Sequence, residues 1–160
     1  MSSKIAPYLW FNGEAETAAT FYVSLFSDAK IGAVSRYGDG ASFAAGTALM
    51  VEFTLAGQRF QALNGGPHYA LTEAISLSVD CADQAEVDRL WTALTSDGGA
   101  ESRCGWLKDK FGVSWQIVPA ALGQIMSRPD KAAAGRAMQA MMGMRKLDIA
   151  ALEAAYAGEV

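Results

Sequence analysis

Histidine and cysteine are scarce in this chain of 160 residues, which has one histidine and two cysteines. Cys81 and Cys104 provide neither a disulfide framework nor the paired spacing of a cysteine-ligated metal site. The simplest interpretation is that both are reduced thiols in a cytoplasmic protein. The one histidine, His68, can supply at most a single metal ligand.

Concentrated positive charge and long apolar runs are also missing. The formal net charge is -4, and the longest basic cluster is Arg145-Lys146. Phosphate binding needs a concentrated basic face, so the charge pattern argues against a nucleic-acid partner, and none is expected. No apolar run approaches the roughly 20 residues of a membrane span. The first residues lead directly into a strand-like run, so we expect no secretory leader. With 51% apolar and 19% charged residues, the composition is that of a globular protein.

Two periodicities divide the chain into strands and helices. Residues 14–27 place Ala18, Phe21, Tyr22 and Leu25 on one helical face, as in an amphipathic helix. Residues 75–80 alternate strictly between apolar and polar, as in a half-buried strand. The predicted strands are residues 5–11, 30–37, 49–55, 59–63, 75–80 and 114–118, and the predicted helices are residues 14–27, 83–96, 120–126, 129–142 and 148–156.

The two halves of the pattern repeat each other. The motif Gly-x-x-aromatic-Gln-x-aliphatic occurs at residues 57–63 and again at residues 112–118. Chance similarity is the alternative, but element order, spacing and motif agree, which indicates a duplicated βαβββ unit. The predicted fold is therefore α+β, with modules at about residues 4–65 and 74–119 forming one paired domain over residues 1–119. Residues 120–160 are expected to form a helical extension that packs on the same domain or on a dimer partner.

Three segments carry a resemblance to a known family: YLWFNG at residues 8–13, ALNGGPH at residues 62–68 and CGWLKDKFG at residues 104–112. With the paired βαβββ units, they resemble the vicinal-oxygen-chelate superfamily of glyoxalases, bleomycin-resistance proteins and extradiol dioxygenases. Within it they are similar to the PhnB-like branch, which is often catalogued as a 3-demethylubiquinone-9 3-methyltransferase domain. The resemblance spans about residues 4–119 and implies a glyoxalase/bleomycin resistance-like fold, a cleft between the modules and a homodimer.

In that superfamily a divalent metal is held by ligands from the first and last strands of each module. Carried over to this sequence, the four positions are Pro7 (or a neighbour, Ala6 or Tyr8), Ala74, Gln61 and Gln116. Two neutral amides without an imidazole or a carboxylate are a poor donor set for a transition metal. We therefore expect a cleft without a metal ion and without a cofactor.

Alternation along the strands selects the side chains that face the cleft. The candidate binding residues are Tyr8, Trp10, Glu52, Gln61, His68, Ser76, Ser78, Cys104, Trp106 and Gln116. This mixture of rings, amides and hydroxyls suits a small, flat, partly polar ligand. Several alternatives remain open, because the tryptophans could serve core or dimer packing and His68 could be an ordinary loop histidine. No pair of these residues has a spacing that identifies a catalytic residue.

Three functions are compatible with the sequence. The first is a metal-independent protein that binds a small aromatic or amphipathic compound, and the missing ligands favour it. The second is a lyase, isomerase or oxygenase that uses Glu52, His68 or an unrecognised metal site. The third is the methyltransferase of the family label, which has the least support because no glycine-rich loop joins a strand to a helix in a doubly wound sheet.

Overall fold

The computed structural model describes residues 3–159, which divide into two compact units with the boundary between Leu71 and Thr72. Each unit contains one four-stranded sheet. Within the described residues, no helix has both the length and the apolar character needed to cross a membrane.

The first unit is a βαβββ module. It consists of β1 (Tyr8–Phe11), α1 (Ala15–Ser24), β2 (Ala29–Arg36), β3 (Ala48–Leu55) and β4 (Gln58–Asn64), with the strand order β1-β4-β3-β2. The pair β1–β4 is parallel and the other pairs are antiparallel. Between β3 and β4, Ala56 and Gly57 both have positive φ values, of 46° and 80°, as in the two-residue hairpin turns whose twist matches the strands.

The second unit repeats this order and adds the extension. It consists of β5 (Leu77–Cys81), α2 (Gln84–Thr95), β6 (Ala100–Glu101), β7 (Trp106–Lys108) and β8 (Ser114–Pro119), followed by α3 (Ala120–Met126), α4 (Lys131–Gly143) and α5 (Ile149–Ala157). The strand order β5-β8-β7-β6 is the equivalent of the order in the first unit. The predicted α+β fold with two βαβββ modules and a helical C-terminal extension is confirmed.

Two strands begin later than predicted. β1 begins at Tyr8 rather than at residue 5, and Ile5 is 81% exposed. The ladder with β4 ends where the backbone N–H of Gln61 donates to the carbonyl oxygen of Pro7, since proline has no N–H with which to continue it. β5 begins at Leu77, and Ile75, expected to face the core, is 76% exposed. β8 itself begins at Ser114, so no strand residue remains opposite Ile75.

A buried amide organises the first unit. Asn64 is buried at the end of β4, and its Oδ1 accepts hydrogen bonds from the backbone N–H groups of Gly13 (2.9 Å) and Ala15 (3.0 Å). Its Nδ2 donates to the carbonyl oxygen of Ala48 at 2.9 Å. Helix α1 has no side-chain cap from its own N-cap residue, Glu14, so the amide of Asn64 satisfies the N–H of Ala15, the first helical residue, instead.

The segment from residue 144 to residue 148, which we call the strap, joins α4 to α5 and lies against the second module of its own chain. The backbone N–H groups of Cys104 and Gly105 donate to the carbonyl oxygens of Met144 and Arg145, both at 2.8 Å. Gln84 on α2 donates to the carbonyl oxygen of Leu147 at 3.0 Å and accepts from the N–H of Ile149 at 2.8 Å. The side chain of Leu147 is fully buried, so the strap is an integral part of the second unit.

Candidate functional site

Each sheet has one face under its helix and one open face. On β4, Phe60 and Ala62 are buried, whereas Arg59, Gln61 and Leu63 are half-buried on the opposite side. β8 follows the same alternation, with the side chains of Trp115 and Ile117 in the core and those of Gln116 and Val118 half-buried. On these strands the residues predicted to pack in the core are buried, and the two glutamines lie on the opposite side.

A row of three predicted residues crosses the open face of the first unit. Tyr8 on β1 is the partner of Gln61 on β4, and Gln61 is the partner of Glu52 on β3. The Nε2 of Gln61 lies 3.4 Å from Oε1 of Glu52, and the side chain of Tyr8 is half exposed. The structure therefore places a phenol, an amide and a carboxylate side by side on this face.

Trp10 occupies the next position along the same face and is held rigidly by the loop that follows β4. Its indole Nε1 donates to the carbonyl oxygen of Gly66 at 2.9 Å. The ring of Tyr69 meets it edge to face, with centroids 4.8 Å apart. A Cβ on Gly65 would lie 2.3 Å from the indole, so only glycine permits this contact. Sequence reasoning missed Tyr69, whose only signal was an aromatic residue close behind the Gly-Gly-Pro turn.

The corresponding row in the second unit contains Ser78, Gln116 and Trp106, which are partners on β5, β8 and β7. The Nε2 of Gln116 donates to Oγ of Ser76 at 2.9 Å. Four of the five residues predicted for this module, Ser76, Ser78, Trp106 and Gln116, are thus brought together. Ala74, assigned from the resemblance to the first strand of this module, instead lies in an exposed turn before β5, because the strand begins three residues later.

Two predicted residues lie away from these rows. His68 is exposed in the loop after β4. Cys104 lies in the turn between β6 and β7 with a φ of 57°, and its Sγ is 3.8 Å from the carbonyl oxygen of Met142 at the end of α4. The thiol therefore faces the extension rather than Gln116.

A cavity of about 250 Å³ opens on the second unit; its lining consists of Glu73, Ala100, Glu101, Ser102, Trp106, Leu107, Lys108 and Ser114. Lys108 forms an ion pair with Glu73, and its ammonium group lowers the pKa of that carboxyl. Ser114 is 2% exposed, and its hydroxyl has no hydrogen-bond partner among the residues that the structure describes. The cavity wall thus combines an indole, an ion pair and an unsatisfied hydroxyl.

The turn beside this cavity is fixed by Asp109, which is 2% exposed. Its carboxylate accepts from the backbone N–H groups of Phe111 (2.8 Å) and Val113 (3.0 Å) and from Nε1 of Trp115 (2.9 Å). These bonds hold the β7–β8 turn over the core, which sets the positions of Lys108 and Ser114. In the sequence, Asp109 stands out only as part of the family-like segment at residues 104–112.

The residues at the family's four metal positions do not fit a divalent ion. They are an alanine in an exposed turn, two glutamines whose amide N–H groups are engaged by Glu52 and Ser76, and Pro7 or its neighbours. Between residues 3 and 159, no group of three or more His, Cys, Asp or Glu side chains is arranged to hold a metal. Neutral amides do not replace the imidazole, thiolate and carboxylate ligands of such ions.

Residues 3–118 match the model of the family described as 3-demethylubiquinone-9 3-methyltransferase. The chain is similar to the structure described as a putative 3-demethylubiquinone-9 3-methyltransferase, PhnB protein, from Bacillus cereus. The identity is 36% and the TM-score 0.69, with 74% of this chain and 100% of that chain covered. A comparison with curated protein sequences gives no significant match.

More distant structures share the fold alone. Protein PA1353 from Pseudomonas aeruginosa is 24% identical with a TM-score of 0.61, and the match covers 74% of this chain and 98% of that one. The fosfomycin resistance protein FosX from Listeria monocytogenes is 13% identical with a TM-score of 0.51, over 75% of this chain and 94% of that one.

Proposed function

We propose that this protein binds a small, partly aromatic organic compound without a metal ion. The chain belongs to the 3-demethylubiquinone-9 3-methyltransferase family, a PhnB-like branch of the glyoxalase/bleomycin resistance superfamily. The observation that carries this proposal is the cavity of about 250 Å³ in the second unit. Its wall combines the indole of Trp106 with the polar groups of Lys108 and Ser114. Small-molecule sites characteristically pair an apolar surface with a few directed polar groups.

The open face of the first unit supports the same function. Trp10 and Tyr69 form an aromatic corner, and Gln61 and Glu52 provide an amide and a carboxylate on the same face. Aromatic rings fixed in one orientation bind flat ligands without a large loss of side-chain entropy. Trp10 is fixed by its hydrogen bond to Gly66, so this face is prepared before a ligand arrives.

Methyl transfer, the activity that the family's name describes, has no support in the geometry. Enzymes that bind dinucleotide-like cofactors in doubly wound folds use a glycine-rich loop between a parallel strand and a helix. Here both sheets are mixed, and the loop of residues 64–67 follows an antiparallel hairpin rather than leading into a helix.

A thermal-shift screen with small aromatic compounds tests the proposed function. A ligand present at 100 times its dissociation constant stabilises the folded protein by about 2.7 kcal/mol. We expect at least one compound to raise the Tm of the wild-type protein, and we expect Trp106→Leu to lose that response. Tyr156→Leu, which changes an aromatic residue on α5, is the matched control and is expected to respond like wild type. Equal responses of Trp106→Leu and wild type to every compound, or no response at all, contradict the proposal.

We also propose that the chain forms a homodimer, as the superfamily resemblance implies. Several large apolar side chains are exposed on the described residues, among them Ile5, Tyr69, Ile75 and Met142, and exposed apolar groups are commonly covered in assemblies. Light scattering coupled to size exclusion measures the mass in solution. We expect twice the chain mass of 16.9 kDa, and a monomeric mass at micromolar concentration contradicts this proposal.

A further inference from the structure

Two buried side-chain polar atoms of the described residues have no hydrogen-bond partner: Nε of Arg59 and Oγ of Ser114. They occupy equivalent places in the two units. Arg59 lies two residues after Gly57 and two before Gln61, and Ser114 lies two residues after Gly112 and two before Gln116. The unsatisfied atoms are therefore a property of the repeated motif rather than two unrelated defects.

The cross-strand neighbours of these residues are also equivalent, with the residue types exchanged. Arg59 is the partner of Thr54, and Ser114 is the partner of Lys108. Directly opposed residues on an antiparallel pair have Cβ atoms roughly 4.5–5.5 Å apart. Each unit thus sets one cation beside one hydroxyl, at the hairpin end of its open face, and we call each such pair a hairpin row.

The chemistry of a hairpin row defines what can occupy it. A guanidinium Nε–H is a donor only, as is an ammonium group, whereas a hydroxyl can donate or accept. A buried donor without an acceptor costs free energy, and an incoming acceptor recovers it once a small side-chain movement gives access to the buried atom. Two donors side by side, one of them charged, match the two oxygens and the single negative charge of a carboxylate. A phosphate dianion has more charge and more acceptor sites than one row can satisfy.

In the second unit a carboxylate of the chain already occupies part of the row. Glu73, on the segment before β5, forms an ion pair with Lys108, and its side chain is 64% exposed. Glu73 leaves the hydroxyl of Ser114 without a partner. Exposed ion pairs of this kind contribute little stability, so a ligand carboxylate that reaches both Lys108 and Ser114 can replace Glu73.

The other carboxylates near the rows are engaged elsewhere. Glu101, also in the cavity wall, accepts from Nε1 of Trp91 at 2.8 Å and lies 3.4 Å from Arg145. In the first unit Glu52 is one row away and is contacted by Gln61. Arg59 makes no ion pair with the residues that the structure describes, and Lys30, the β2 partner of Thr54, adds a second positive charge beside that row.

We infer that the hairpin row of each unit, Thr54 with Arg59 and Lys108 with Ser114, is a subsite for a carboxylate group, and that Glu73 is a built-in competitor for the second of them. The inference rests on the proposed function and specifies its ligand as a small aromatic carboxylate. The aromatic part lies against Trp106 in the second unit, and the carboxylate lies at the hairpin end of the sheet.

NMR titrations with benzoate, benzamide and phenyl phosphate test this inference. The backbone amide resonances of the protein are measured at each probe concentration. We expect millimolar benzoate to shift the resonances of Thr54 and Arg59 in one unit and those of Lys108 and Ser114 in the other. Benzamide has the same ring without the charge and is expected to bind at least about tenfold more weakly, since a hydrogen bond to a charged group contributes more than a neutral one.

Variants separate the two rows. Arg59→Met is expected to remove the benzoate response of the first unit only, and Lys108→Met that of the second unit only. Glu73→Gln is expected to tighten binding to the second row by up to about fivefold, because the competing ion pair is lost. Lys131→Met removes one positive charge from an exposed position at the start of α4 and serves as the matched control. Its benzoate response is expected to equal that of wild type.

The possible outcomes distinguish this inference from the function on which it rests. If benzamide and benzoate shift the same resonances with equal affinity, a small-molecule site is present but the carboxylate subsite is refuted. If phenyl phosphate binds about tenfold more tightly than benzoate, the rows select phosphate and the inference is also wrong. If none of the probes, nor any compound of the thermal screen, shifts a resonance, both proposals fail. Responses that survive in Arg59→Met and Lys108→Met contradict the assignment of the rows.

Discussion

Single atoms decide the shape of the aromatic corner in the first unit. Gly65 lies against the indole of Trp10, and an added Cβ would approach three of its ring atoms to 2.3–2.6 Å. Trp10 cannot move away freely, because its Nε1 is bonded to Gly66 and its ring meets Tyr69. The ring and the loop therefore determine each other's position.

We predict that Gly65→Ala destabilises the protein by about 1–3 kcal/mol, the usual cost of forcing an extra methyl group into a closed contact. The displaced indole loses its hydrogen bond, so the tryptophan emission spectrum is expected to change as well. Chemical denaturation measures the first effect and fluorescence the second.

Gly38→Ala is the control for this substitution. A Cβ added at Gly38 has no heavy atom within 4 Å, and Gly38 does not have a positive φ. The free energy of unfolding of Gly38→Ala is therefore expected to stay within about 0.5 kcal/mol of the wild-type value. Equal stability of Gly65→Ala and wild type would show that Trp10 is not fixed by this contact.

Among the elements, the strap has anchors that depend on ionised carboxylates. Asp88 accepts from Lys146 at 2.8 Å and from Gln84 at 3.0 Å, and the bond from Lys146 is the main cause of the lowered pKa of Asp88. The pKa of Glu101 is lowered chiefly by the bond from Trp91 and further by Arg145. Lys146 and Arg145 both belong to the strap.

A lowered carboxyl pKa means that these contacts stabilise the folded chain above the ordinary carboxyl pKa and are lost as the pH falls through the lowered values. Exposed ion pairs each contribute little stability, so we predict that the amide protons of Gly105 and Ile149, which hydrogen-bond to the strap and to Gln84 beside it, lose a small part of their protection as the pH falls below the ordinary carboxyl pKa of about 4. Hydrogen exchange, corrected for the intrinsic effect of pH, measures this. Lys146→Met is expected to lower protection at neutral pH already, and unchanged protection in acid would contradict the prediction.

The periodicity of the sequence predicted which elements form and which faces they bury. Alternation placed Phe60 in the core and Gln61 on the open face, because the period of a strand is two whatever its surroundings. It failed at the start of β5, because Ile75 continues the alternating pattern but lies outside the strand. The length of the neighbouring strand, which begins only at Ser114, decides where pairing stops, and that is information from distant residues.

The candidate site was predicted in its central rows and missed at their edges. Gln61 with Glu52, and Gln116 with Trp106, follow from the repeated motif and from alternation. Tyr69 reaches Trp10 only because the loop after β4 turns back. Lys108 becomes relevant through its partner Ser114. Such contacts depend on register and loop path, which residue types in a single sequence do not specify.

For the molecule as a whole, the absence of suitable ligands at the family's metal positions has a measurable consequence. We predict that Zn²⁺, Ni²⁺ or Mn²⁺ at moderate excess leaves the Tm of the protein unchanged, and that a chelator does so too. Each unit offers a glutamine amide where a metal would need an imidazole or a carboxylate. Thermal unfolding with and without metal checks this, and elemental analysis showing one tightly held metal ion per chain would overturn it.

The two repeats differ in how their helices start, and this difference bears on the order in which the chain folds. Helix α2 is capped by Asp83, its own neighbour in sequence, whose carboxylate accepts from the N–H of Glu86 at 2.9 Å. Helix α1 depends on Asn64, which accepts from the N–H of Ala15, 49 residues earlier in the chain. A local cap can act in an isolated peptide, whereas a distant cap is absent until the loop between has closed. Helix α2 can therefore begin to form while its surroundings are still unfolded. The N-terminal end of helix α1 is capped only once β4 is in place.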